Sequence, residues 1–190
     1  MKQAIGAFLF LVPLTIAIQA RCTTLPDSCG DDKIQFDVKT QKNQPQPASA
    51  DPAKARIVFV EFVDKSNAGI CIGCNFTARV GLDGAWVGAN KGNSYFAADI
   101  PPGEHHLCVD WQSSGGELRS KVGVAALNAE AGKVYYYQVT FKETQGDVTR
   151  LPNALVSSVP DWSLDLARLS EDEGKYGVKI SALATATARE

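Results

Sequence analysis

Cys71-Ile72-Gly73-Cys74 is a Cys-x-x-Cys, a spacing that suits a redox pair or one half of a zinc site. A complete zinc site needs two further ligands, and the candidates by type are His105, His106 and Cys108. His106 and Cys108 are two residues apart, so in a strand they share a face. Cys71, Cys74, His106 and Cys108 would then form a Cys₃His set. Thiol oxidoreductases place this motif at a helix start beside a parallel sheet, whereas here strand-like segments flank it, which favours a structural disulfide over redox or metal chemistry. His105 and His106 are the only histidines. A catalytic histidine needs a nucleophile and an orienting carboxylate. No Gly-x-Ser-x-Gly or His-Glu-x-x-His accompanies them, so neither an enzyme nor a cofactor is expected. Asp83, Asp99 and Asp110 lack the Asp-x-Asp-x-Asp loop of a calcium site and read as solvated turn residues. Among the tryptophans, Trp86 beside a turn is the candidate exposed ligand contact. Trp111 shares its predicted face with Leu107 and Val109 and belongs to the core, and Trp162 completes the set. Asn75-Phe76-Thr77 fits a glycosylation acceptor, a signal that carries little weight here.

The elements that must position these residues are strands. Arg56–Val63 is β-branched and aromatic on both faces, as in a buried central strand. Thr77–Leu82 alternates, and Asp83-Gly84 turns it tightly into Ala85–Gly88. Ser94–Ile100 follows, reversed by Pro101-Pro102-Gly103, with rigid prolines and then a residue without Cβ. In the next strand His105, Leu107, Val109 and Trp111 share one face, while His106, Cys108 and Asp110 share the other. Lys121–Leu127 and Val134–Lys142 are two more strands, the second carrying Tyr135-Tyr136-Tyr137. Ser163–Leu169 fits a strand or a helical turn. Ser170-Glu171-Asp172-Glu173 has capping-box spacing for a short helix, whose length Gly174 and Gly177 should limit. The expectation is an all-β antiparallel sandwich of about seven to eight strands with a short C-terminal helix.

Residues 1–20 read as a secretory signal, with Lys2, an apolar run from Ala4 to Ile18, and Ala20 at the cleavage position. The run is short for a spanning helix and is broken by Pro13, so cleavage is favoured over a retained anchor and no stable membrane insertion is expected afterwards. The four regions expected are the signal, a cysteine-containing segment and polar linker over 21–54, a folded domain over 55–182 and a fraying tail over 183–190. Within the linker, Ile34, Phe36 and Val38 alternate, as in a short edge strand. Nineteen Lys and Arg against 21 Asp and Glu give no clustered positive field, which argues against nucleic acid as a partner. The destination is periplasmic or secreted, where the five cysteines are disulfide candidates and one stays odd. Cys22 and Cys29 suit a local bridge, leaving Cys71, Cys74 and Cys108 to share another.

The run from Val80 through Asp83-Gly84 to Gly88, then Ser94-Tyr95-Phe96, Pro101–Leu107 and Ala131–Tyr137 resembles a family of bacterial envelope proteins, many of them lipoproteins, classified as a domain of unknown function. Pro101-Pro102-Gly103-Glu104-His105 is similar to the Pro-x-Gly-x-His turn of the PEGA β-sandwich module of bacterial surface proteins, with His105 at that module's histidine. The resemblance spans about Ala55 to Lys142 and implies a β-sandwich at the cell envelope with an unidentified envelope or protein partner and no catalytic residues. Arg21 stands directly before Cys22, where a lipobox needs a small residue, so the chain departs from the lipoprotein members there.

Overall fold

The computed structural model describes residues 26–44, 51–61, 76–112, 122–144, 148–150, 156–158 and 161–189. The expected signal segment, Cys22, Cys71 and Cys74 lie outside them. Twelve strands and one helix follow in the order β1 (Gln35–Gln41), β2 (Ala55–Glu61), β3 (Thr77–Leu82), β4 (Ala85–Lys91), β5 (Ser94–Ile100), β6 (Gly103–Gln112), β7 (Gly123–Ala129), β8 (Val134–Thr144), β9 (Val148–Arg150), β10 (Val156–Ser158), β11 (Asp161–Leu169), α1 (Glu171–Ile180) and β12 (Ala182–Arg189). Six form one sheet in the order β1-β12-β5-β2-β8-β11. Four form a second, β4-β3-β6-β7, and β9 and β10 make a separate two-stranded ribbon.

The two main sheets therefore hold ten strands, more than the seven to eight expected. The added ones are β1, which the alternation of Phe36 and Val38 hinted at, and β12, which replaces the fraying tail. Ala182–Arg189 is a poor strand by composition, but it has β1 on one side and the start of β5 on the other, so pairing overrides propensity. The large sheet is also mixed, because β2–β8 and β12–β5 are parallel pairs. Parallel neighbours need a long crossover, and the whole second sheet is inserted between β2 and β8.

As expected of a central strand, β2 is buried on both faces. Ile57 and Phe59 enter a cluster with Val80, Leu107, Val109 and Trp111 of the second sheet, so one apolar core draws on both sheets. Val58 and Val60 face the other way, toward Tyr95, Tyr136 and Val178 of α1. The helix starts at the expected capping box. The Glu173 N–H donates to the Ser170 hydroxyl at 3.3 Å, and the Ser170 N–H donates to the Glu173 carboxylate at 2.9 Å. Gly174 does not end it. A Cβ there would overlap the Tyr136 ring, so this glycine sets how closely helix and sheet approach.

Candidate functional site

The turn residues singled out by type and spacing converge. Asp83 and Gly84 have φ of 50° and 88°, both left-handed, as a two-residue hairpin requires. The Asp83 carboxylate then holds the first residues of β6, accepting from the His106 N–H at 2.7 Å and from His105 Nδ1 at 2.6 Å. His105 Nε2 donates to the Pro101 carbonyl at 2.9 Å, closing the Pro101–Gly103 turn onto the same imidazole. Pro102 is exposed beside Gly103, whose φ is 136°. Both nitrogens of His105 therefore face acceptors, a geometry that calls for the doubly protonated ring. Burial disfavours that charge, but the Asp83 hydrogen bond, the Pro101 carbonyl and the Asp83 charge outweigh it and raise the His105 pKa above its ordinary value. Burial also opposes the Asp83 carboxylate. The His106 N–H and the His105 ring outweigh it, and the Asp83 pKa is lowered. A histidine with both nitrogens donating has no lone pair for a base, so this dyad is a lock between two turns.

The cysteines pair differently from the local expectation. Cys29 is bonded to Cys108, 79 residues away, not to Cys22. His106 and Cys108 do share the outer face of β6. His106 is exposed there, while Cys108 is fully buried under the N-terminal segment. The Cys71, Cys74, His106 and Cys108 set thus loses the Cys108 sulfur, and no group of three or more metal-ligating side chains occurs among the described residues.

The segment expected to be a linker is a strap across the outer face of the second sheet. Beside the disulfide, the Gly84 N–H donates to the Ser28 carbonyl at 3.2 Å, and Gly81 leaves room for that carbonyl, 2.9 Å from where a Cβ would sit. Trp86 Nε1 donates to the Asp31 carbonyl at 2.7 Å. Arg79 donates to the Asp32 and Ile34 carbonyls at 3.1 and 2.5 Å, pairs with Asp110, and lies over the Trp86 ring at 4.4 Å. Gln112 completes the strap by exchanging side-chain hydrogen bonds with the Phe36 backbone at 2.6 and 2.9 Å. Trp86, expected as an open ligand contact, is instead half-buried against the strap. Asp110 is a buried ion-pair partner, not a solvated turn residue. Sequence reasoning misses the Arg79–Asp110 clamp. Its one signal is a charged residue on each of two strands at positions flanked by core residues.

Two further features remain. Glu61 continues the inward row of Ile57 and Phe59. It is fully buried opposite Ser94, and among the described residues neither its carboxylate oxygens nor Asn90 Oδ1 has a hydrogen-bond partner. Burial drives the Glu61 pKa well up, and the Gly92 N–H, near the carboxylate but outside hydrogen-bond geometry, offsets this only in part. The second is a cleft of about 480 Å³ between β5 and β12, lined by Val87 and Gly88 of β4, Phe96 and Ala97 of β5, and Ala184 and Ala186 of β12. Among the described residues no helix is long and apolar enough to cross a membrane. Compared with protein-family models, curated proteins and solved structures, the chain matches none.

Proposed function

We propose that this chain is an exported, non-catalytic β-sandwich module of the bacterial cell envelope, periplasmic or secreted, with a binding or structural role. The observation that carries this reading is the Cys29–Cys108 bridge. Such a bond persists in oxidising compartments and is rare in the cytosol, and it agrees with the secretory pattern of residues 1–20. Two sheets sharing one core support the sandwich. The locked turns at Asp83-Gly84 and Pro101–His105 support a PEGA-like module. The engagement of both His105 nitrogens supports a structural role for this histidine. The Cys₃His metal alternative loses Cys108 to the bridge with Cys29, while Cys71 and Cys74, the centre of the thiol-redox alternative, lie outside the described residues.

Intact mass of the full chain expressed in a bacterium with a periplasm, fractionated and alkylated with and without reductant, tests it. The expected result is a periplasmic or secreted species beginning at Arg21, in which Cys29 and Cys108 alkylate only after reduction. An unprocessed chain confined to the cytoplasm with every thiol open to alkylation would overturn the reading.

A further inference from the structure

Between β5 and β6 the chain crosses from the large sheet to the second sheet. The crossover is short. Pro101 and Pro102, both exposed, separate Ile100, buried at the end of β5, from Gly103, which opens β6. Neither proline has an N–H to donate, and the tie that holds this link is the Pro101 carbonyl, which accepts from His105 Nε2 at 2.9 Å. From its other side the same buried imidazole reaches Asp83 in the β3–β4 hairpin, Nδ1 lying 2.6 Å from the carboxylate. The ring thus fastens the crossover to the hairpin with two N–H groups and two acceptors. Removing either proton leaves a nitrogen lone pair facing an oxygen lone pair, which repels where the N–H attracted.

The two acceptors are unequal. Asp83 is a carboxylate that also accepts from the His106 N–H at 2.7 Å, so its bond to the ring is charge-assisted, whereas the Pro101 carbonyl is neutral. The proton opposite Pro101 is therefore the one the ring gives up. We propose that His105 is a pH-operated latch on the β5–β6 crossover, in which loss of the Nε2 proton to solvent releases the Pro101 carbonyl while Nδ1 stays bound to Asp83. The hairpin keeps the ring and the proline link is the moving part. Among the described residues, Asp83 is the group whose charge acts on this ring. Glu104 and His106 flank it on β6 from the opposite face, where both are exposed, and its β7 partner is the apolar Leu127. The ring is held doubly protonated beyond the ordinary histidine range, so the latch is closed in acid and opens as pH rises through that raised value. This device goes beyond the reading of the chain as an envelope module and does not depend on it.

The test is imidazole NMR on the folded full chain labelled with nitrogen-15, titrated over about pH 5.5–10, with His106→Gln at an exposed position leaving His105 as the only ring observed. Below the midpoint both ring nitrogens should carry a proton. Above it Nδ1 should keep its proton and Nε2 should have lost it, the reverse of the tautomer a free imidazole favours. The Gly103 and Glu104 amide signals should shift with the same midpoint, while those of Gly84, Val58 and Val109 hold still. Asp83→Asn should abolish the preference for the Nδ1–H tautomer. If that variant does not fold, the spectra of the Asp83 protein decide the question alone. The proposal fails if Nε2 keeps its proton above the midpoint, if the ring is neutral across the whole range, or if Gly103 and Glu104 ignore its titration. It also fails if Val58 and Val109 move with them, which would mean that the whole fold responds and not one crossover. None of these outcomes would touch the export reading, which stands on processing and disulfide state.

Discussion

Removing the Cys29–Cys108 bridge with Cys29→Ala/Cys108→Ala should act on the unfolded chain more than on the folded one. The bond closes a loop of 79 residues, and the chain-entropy relation gives a stabilisation of about 4.5 kcal/mol for a loop of that length. In the folded state the strap keeps its other ties, from Gly84 to Ser28, Trp86 to Asp31, Arg79 to Asp32 and Ile34, and Gln112 to Phe36. Native geometry should therefore survive, and the loss should appear as extra freedom of the denatured ensemble. For a domain of this size each kcal/mol moves the melting temperature by about 2–4 °C, so the double variant should melt about 9–18 °C lower. Urea denaturation should show a steeper dependence on denaturant, because the open unfolded chain exposes more surface than the cross-linked one. Non-reducing peptide mapping of the wild type should return the Cys29 peptide joined to the Cys108 peptide. A Cys22–Cys29 link, or a double variant that melts within about 2 °C of wild type, would refute the argument.

Three other perturbations have signs fixed by the contacts. Asp83→Asn should lower the His105 pKa from its raised value, read from the ring protons by NMR across pH. In the wild type, stabilisation by His105 is complete below about 6.5 and is lost as pH rises through the raised folded value, while that of Asp83 is present above about 3.8 and is lost as pH falls. Glu61→Gln should stabilise the protein in urea melts at pH 8 and leave it unchanged near pH 4, since a buried acid with a raised folded pKa destabilises the fold only once pH passes above its unfolded value. A wild type as stable as the variant at pH 8 would contradict this. Gly174→Ala should destabilise by about 1–2 kcal/mol in the same melts, because overlap with the Tyr136 ring outweighs the gain in helix propensity. A stabilised variant would show that helix and sheet have room to part.

What was legible in the chain was local. Thr77–Leu82 and Ser94–Ile100 have the bounds their alternation and turn residues predict, and Val58 and Phe59 fill opposite faces of β2 as a doubly buried strand must. The Ser170 capping box marks the true start of α1. Asp83 and His105 each stand out for their own turn, and their hydrogen bond joins two motifs 22 residues apart. The illegible part depends on partners distant in sequence. Ala182–Arg189 has the composition of a frayed end and becomes a strand because β1 supplies a ladder from Leu183 to Arg189 and β5 holds its first two residues. Cys29 lies close to Cys22 in the chain and 79 residues from Cys108, and nothing in spacing reveals that the distant sulfur is the near one in space. Arg79 and Asp110 sit at ordinary solvent-facing positions of their strands until residues 28–34 cover them.

The strap and the cleft between β5 and β12 are mechanically one structure. Residues 28–34 are fixed to the second sheet by the disulfide, Trp86 and Arg79, and the chain then runs directly into β1. From Gln35 to Gln41, β1 is paired with β12, whereas β12 holds β5 through Ala182 and Leu183 alone. The strap therefore helps to position the β12 wall of the cleft, through β1, and the strap's covalent tie is Cys29–Cys108. Opening that bond should loosen β12 more than the central strands, because β2 and β8 are paired along both edges and packed into the core. Hydrogen exchange of Cys29→Ala/Cys108→Ala, measured under conditions matched to wild type in global stability, should show faster amides in β1 and β12 and unchanged ones in β2 and β8. A uniform acceleration across all four strands would mean that the bridge stabilises the fold as a whole without setting the position of the ribbon. The selective pattern would make the Cys29–Cys108 bond a local tie of the β1–β12 ribbon to the second sheet.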